Sequence, residues 1–353
     1  MAQKFDNIQA LRAVAALAVV AAHVKGAEID YGGGGALLPH FPYMGIAGVD
    51  LFFVISGFVM ALAAGAARGP QAALRFLYNR ATRIYPAYWA TTIMLIALYA
   101  GKRALFGEDT PWPNKLATFL LAPSDHALLL PVGWTLVHEM YFYVTFALFL
   151  LTRAPLITFL AVWGAIVLAA HGAGLVDFNA WTKVVFSPLT FEFIAGAAIA
   201  RLPLARLSRF AAPALIAGAA GFAVLSMFSH ALYPAAFADF ARRTLTFGPL
   251  AALVVFGAAA LEGRQRAPRF LVTTGDASYS IYLIHVPVFL VVGKLTTLVV
   301  SDGVFDNVLL VVAYSLAALA AGFALHRLIE KPLLARSRKW GAAIFARTVP
   351  HAA

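Results

Sequence analysis

Apolar runs about as long as a bilayer is thick alternate along the chain with short polar connections. Ten are long enough to cross: residues 8–25, 46–65, 84–100, 134–152, 154–171, 184–200, 210–228, 244–261, 277–299 and 306–326. A helix rises about 1.5 Å per residue, so roughly 20 residues cover a hydrocarbon core of about 30 Å. The pattern predicts an all-α, polytopic transmembrane helical bundle of about ten spans, with a membrane domain over 1–340 and a short tail over 341–353. Connection 26–45 holds four consecutive glycines from Gly32 and two prolines, and is expected to be irregular. Segment 104–133 is too long for a tight turn, and its apolar piece 116–121, between Pro113 and Pro123, suits an interfacial or re-entrant helix. The first run has no small-residue cleavage site after a short apolar core, so it reads as a retained span. No inverted repeat and no appended soluble domain are expected.

Composition strengthens this reading. Of the 353 residues, 62% are hydrophobic and 12% charged, more apolar surface than a water-soluble domain of this length can hide. The net charge of +11 does not point to nucleic acid, because the basic residues gather in a few loops and the tail. With the amino end cytoplasmic, the inward connections carry Arg68, Arg75, Arg80 and Arg83, then Arg153, then Arg201, Arg206 and Arg209, then Arg264, Arg266 and Arg269. The tail adds six more, and the acids among them are Glu262 and Glu330. Opposite loops mix signs, with Arg242 and Arg243 the exception. The expected orientation is therefore both termini inward. With no cysteine, thiolate nucleophiles, thiolate-ligated metals and disulfides drop out; no metal is expected.

Ionisable groups inside apolar runs cost several kcal/mol each to bury and are functional candidates by default. The first run holds Arg12 and His23, eleven residues apart. At about 100° per residue they share one helix face, roughly 16 Å apart along the axis. Asp50, Glu139 and Glu192 fall early in spans that run inward, so these carboxylates and His23 share the outer part of the membrane. A His beside a carboxylate is the arrangement that orients a general base, which fits acyl transfer to a hydroxyl. On the inner side, Arg80 and Arg83 stand one turn apart beside Tyr and Trp residues, on the side of Arg12. Guanidinium pairs suit phosphate groups bidentately, as on a cytoplasmic cofactor. Structural duties fit the same residues: Arg12 snorkelling to headgroups, the carboxylates as interhelical ion pairs, His285 as a packing residue, and Arg80 and Arg83 as membrane anchors.

Several segments together resemble the acyltransferase-3 family of integral membrane acyltransferases. They are Arg12-x10-His23, Gly48-Val-Asp-Leu-Phe-Phe-Val-Ile-Ser-Gly-Phe58, Arg80-x-x-Arg83-Ile-Tyr-Pro86, Trp134-Thr-Leu-x-x-Glu139-x-x-Phe-Tyr143 and Ser278-Tyr-Ser-Ile-Tyr-Leu-Ile-His285. The opening Asn7-Ile-Gln-Ala-Leu-Arg-Ala is most similar to the exopolysaccharide O-acetyltransferase branch. The resemblance implies a ten-span core in a bacterial inner membrane, passing acetyl groups from acetyl-CoA, a donor substrate and not a resident cofactor, to a sugar hydroxyl. It also implies that Arg12 and His23 are essential, with His23 at the chemistry, and that Glu139 is an essential carboxylate. His138 stands where related sequences often have an aromatic, and suits either a second titratable group or a headgroup contact.

The combined expectation places His23, Glu139 and Asp50 at the catalytic centre, with Asp50 or Glu139 fixing the His23 tautomer, and Arg12, Arg80 and Arg83 on the donor's phosphates. Expected partners are acyl-CoA, a polysaccharide or lipid-linked oligosaccharide, the lipid bilayer and polysaccharide synthesis or export proteins, without nucleic acid. A proton-coupled transporter or flippase of a saccharide intermediate would use the same intramembrane acids as a relay, and a non-catalytic assembly partner of an export complex would show neither transfer nor transport alone.

Overall fold

A computed structural model describes residues 5–31, 45–107, 114–227, 239–296 and 304–346. Among these no strand occurs, and helices follow one another from end to end. Eight helical runs are long and apolar enough to cross a membrane. Two further apolar helices, α2 (Gly48–Ala63) and α6 (Leu156–Gly172), are shorter and occupy the second and fifth of the ten expected stretches. The protein is an all-helical, multi-pass membrane protein.

Helix α1 (Asp6–Tyr31) outruns its expected span, so residues 26–31, read above as loop, are helical; the four glycines after it lie outside the described residues. Its amino end is tied down chemically. The free N–H groups of Asp6 and Asn7 donate to the two carboxylate oxygens of Glu262 at 2.9 and 3.0 Å, satisfying donors that a helix start leaves without partners. The Asn7 side chain donates to the Ala258 and Gln265 carbonyls and accepts from the Ala267 N–H. Arg12 thus projects from a helix whose height in the bundle is set.

Helix α3 (Pro70–Phe106) departs further from expectation. The sequence reading put 66–83 in a connection and began a span at 84. Proline is harmless at a helix start, where its missing N–H has no partner anyway, and the next breaker, Pro86, removes only one bond from the ladder. The helix ends at Gly107 in the left-handed conformation. Arg80 and Arg83 therefore lie inside a 37-residue helix, one turn apart on it. The apolar piece of segment 104–133 forms α4 (Lys115–Leu120), capped by Asn114, whose side chain accepts from the Ala117 N–H at 3.1 Å. Tyr85, Tyr88 and Trp89 of α3 donate to its carbonyls at 2.7–2.9 Å.

Helix α5 (Gly133–Leu151) packs on α3, and an aromatic cluster of Phe142, Phe146 and Phe193 joins it to α8 (Thr190–Ile199), which follows the short α7 (Ala180–Val185). Helices α2 and α8 touch backbone to backbone: a Cβ on Gly57 would collide with the Phe193 carbonyl, and one on Gly196 with that of Val54. Small residues permit such approach where lipid supplies no hydrophobic drive between helices. After α9 (Leu204–Leu207) and α10 (Ala211–Met227) come α11 (Phe240–Ala260), α12 (Arg269–Asp276), α13 (Ser278–Thr296) and α14 (Val304–Leu325). Helix α14 passes through a π-helical turn, His326–Glu330, into α15 (Lys331–Ala346).

Candidate active site

Two cavities meet at three arginines. The inner one, about 110 Å³, is lined by Arg12, Arg80 and Arg83 at one end, by Ser56, Glu139 and Tyr143 along its wall, and by Phe52 and Tyr282 among its aromatics. The outer one, about 640 Å³, shares the three arginines and is otherwise walled by Gln9 of α1, by Asn79 and Thr82 of α3, and by residues of α12, the π turn and α15. Four residues singled out from sequence, Arg12, Arg80, Arg83 and Glu139, are thus brought together by α1, α3 and α5.

Their electrostatic states differ. Arg83 is ion-paired with Glu330, a buried carboxylate on the π turn. Glu330 also accepts from Ser280 Oγ at 2.6 Å and lies 2.8 Å from Nδ1 of His326. Arg12 makes one long contact, 3.5 Å to the Gln9 side chain, and Arg80 lies over the Phe76 ring at 5.7 Å. Among the described residues no carboxylate forms an ion pair with either, and Glu139 and Glu330 act on Arg12 only through space. A buried guanidinium without an anion is costly, and an anionic ligand removes that cost. Glu139 is fixed through one oxygen: Oε1 accepts from Ser56 Oγ at 3.0 Å and from the Tyr143 hydroxyl one turn along α5. Oε2 has no hydrogen-bond partner among the described residues.

His23 sits elsewhere, and no carboxylate orients it. Its Nδ1 lies 2.9 Å from the Val19 carbonyl. A carbonyl only accepts, so Nδ1 holds the proton and Nε2 of the neutral ring keeps its lone pair. Its neighbour is His285, whose ring meets it edge on at 4.9 Å between centroids. His285 is fully buried, and neither of its nitrogens is hydrogen-bonded; the Ile281 and Tyr282 carbonyls face the ring without forming a bond. Neither imidazole is on the lining of the inner cavity. Tyr282, which is, stands 5.9 Å from the His285 ring and is held through its hydroxyl by Thr135 and the Val132 carbonyl.

Asp50 corrects the expectation that it supports His23. It is fully buried in a bidentate pair with Arg243 of α11, at 2.9 Å (Nε–Oδ1) and 2.8 Å (Nη2–Oδ2), and Arg243 also donates to the Ile46 carbonyl. The physical reason is demand for charge: a guanidinium 2% exposed inside a bundle needs a planar anion, and Asp50 is the one that fits. The buried Glu192 lies beside this pair, with no hydrogen bond to either oxygen. His138 does not reach headgroups; it is 5% exposed, bonded through Nδ1 to the Trp134 carbonyl and packed against Phe53, Trp134 and Phe240.

Sequence reasoning missed Arg243, Glu330, His326, Ser56 and Tyr143. The apolar run that begins at 244 leaves Arg243 among the loop charges, and Glu330 falls in a basic tail. The available signal was their type: an Arg on the side where positive charge is disfavoured, and an acid where it is scarce, each imply a partner.

The profile of the acyltransferase-3 family, described as an acyltransferase domain, matches residues 5–327. The chain is 35% identical over 312 residues to the exopolysaccharide production protein ExoZ of Rhizobium meliloti (strain 1021), covering 85% of this chain and 92% of that one. It is 29% identical over 154 residues to the acyltransferase MdmB of Streptomyces mycarofaciens, covering 41% and 39% respectively. No solved structure matches it significantly. With a family match spanning nearly its whole length over a multi-pass helical bundle, the chain belongs to the acyltransferase-3 family and is a membrane acyltransferase.

Proposed function

We propose that this acyltransferase moves an acetyl or other short acyl group from cytoplasmic acyl-CoA to a hydroxyl of an exopolysaccharide or lipid-linked glycan, in a bacterial inner membrane. One observation carries the donor assignment: a wide cavity narrows into a small one at Arg12 and Arg80, cations without carboxylate partners. A phosphate-bearing head fits the wide part, and a slender thioester arm fits the narrow part. The likeness to an exopolysaccharide production protein supports the acceptor class.

In this reading the arginine side faces the cytoplasm. Arg12 and Arg80 hold phosphate oxygens, while Arg83 is kept in place by Glu330. The acyl-pantetheine arm extends past Glu139 toward Tyr282, and the acceptor approaches from the opposite side, where His23 is partly exposed. Nε2 of His23 takes the proton of the acceptor hydroxyl as its oxygen attacks the thioester carbonyl. The C–O bond forms, the C–S bond breaks, and the imidazolium returns its proton to the departing thiolate. Displacement of Tyr282 brings the carbonyl within reach of the two imidazoles. Glu139, rigid through Oε1, places Oε2 beside the arm.

Membranes containing the protein, given labelled acetyl-CoA and the host's polysaccharide, are expected to yield acid-stable, base-labile label on the polysaccharide. Polysaccharide from a deletion strain is expected to lack those esters. Equal ester content in producing and deletion strains overturns the proposal.

A further inference from the structure

We infer that α15 supplies a separate phosphomonoester subsite, so that the donor is recognised by a 3′-phosphorylated nucleotide head and not only by its diphosphate. This rests on the acyl-CoA reading and specifies what reads the far end of that molecule.

The outer cavity is lined by four residues of α15 in register: Lys331, Leu334, Ala335 and Arg338. Their spacing of i, i+3, i+4 and i+7 puts them on one helix face, with the cations about 10 Å apart along the axis. That face presents positive charge at both ends and an apolar ledge between. The same lining holds Arg12, Arg80 and Arg83, with Asp276 its one carboxylate. Glu330 neutralises Arg83, and among the described residues no carboxylate pairs with Lys331 or Arg338. Even with one cation set against Asp276, three positive charges remain around about 640 Å³ of space, within the roughly 300–1,000 Å³ usual for small-ligand sites.

The division of charge identifies the ligand class. Arg12 and Arg80 stand at the constriction, where a diphosphate joined to a narrow arm would sit. Lys331 and Arg338 line the wide cavity alone, whereas Arg12 and Arg80 also line the narrow one, so the α15 pair suits a phosphate beyond those at the constriction. A monoester, with close to two negative charges at neutral pH, meets their demand, and a purine or ribose covers Leu334 and Ala335 between. A carrier protein presents its pantetheine arm on a single phosphodiester, and acetyl phosphate has no remote phosphate; neither uses this face.

The test measures binding of coenzyme A and 3′-dephospho-coenzyme A to the full-length protein in lipid nanodiscs. Wild type is expected to bind coenzyme A roughly tenfold or more tightly than the dephospho form, the scale of a charge-assisted contact. Lys331→Ala/Arg338→Ala is expected to erase that preference by weakening coenzyme A alone. Arg336→Ala/Lys339→Ala, which removes the same charge from α15 away from the cavity lining, is expected to keep it. Equal wild-type affinity for the two ligands, or a Lys331/Arg338 variant that weakens both alike, overturns the subsite while leaving the acyl-CoA reading standing. Failure of wild type to bind either ligand overturns both.

Discussion

The imidazoles of His23 and His285 meet edge to face with centroids 4.9 Å apart, and among the described residues no carboxylate bonds either ring. The catalytic histidine of this reading is therefore backed by a second histidine, not by an acid. A neutral imidazole packs against its neighbour without adding charge, which suits a base inside hydrocarbon, where an unpaired carboxylate is costly.

Replacing His285 by Phe keeps most of its volume and removes both nitrogens. Acetyl transfer is expected to fall about tenfold with donor KM unchanged, and His23→Ala to cost roughly 10²–10⁴-fold, the range for loss of a general base. Steady-state kinetics with labelled acetyl-CoA on matched amounts of inserted protein separate the two. A His285→Phe enzyme with wild-type kcat would reduce that ring to packing.

Asp50→Ala removes the bidentate acceptor of the buried Arg243 guanidinium. Breaking one side of such a pair costs about 3–5 kcal/mol, so the variant is expected to unfold at markedly lower temperature in detergent. Replacing both partners, as Asp50→Leu/Arg243→Met, is expected to recover much of that loss, because the pair's own charges no longer have to be desolvated. If the double variant retains activity, Asp50 is structural; if it regains stability but not transfer, the pair also serves the reaction.

Arg83 and its neighbours should separate by assay. Arg12→Ala and Arg80→Ala remove cations that have no carboxylate partner, and each is expected to weaken coenzyme A binding roughly tenfold, as loss of a charge-assisted contact does, with little change in unfolding temperature. Glu330→Ala removes the acceptor shared by Arg83, Ser280 and His326 and is expected to lower the unfolding temperature first. Isotherms and thermal unfolding on the same preparations read both effects. An Arg80→Ala protein with wild-type affinity would leave that residue a membrane anchor.

Individual residues show what could be read in advance. Arg12 and Glu139 are legible because charge inside an apolar run is conspicuous, and Arg80 and Arg83 because two guanidiniums one helical turn apart suit phosphate. Asp50 was equally conspicuous and was given the wrong partner. Periodicity fixes a residue's face and depth on its own helix and says nothing of which helix it meets, and the partner lies 193 positions along the chain. The start of α3 was misjudged for a simpler reason: hydropathy marks where lipid begins, whereas a helix runs on through water until a breaker stops it.

By itself the sequence determined that this chain is a polytopic helical protein in lipid, because no other solvent accepts so much apolar surface and no other regular element satisfies its own backbone there. It also determined which side chains needed an explanation for being buried. Only the tertiary structure decided how those charges were matched: Asp50 to Arg243, Glu330 to Arg83, His23 to His285, with Arg12 and Arg80 left facing a cavity. That matching depends on close approach between helices distant in sequence, at Gly57 and Gly196 for example, and such contacts are set by packing of the whole bundle, which local pattern does not encode.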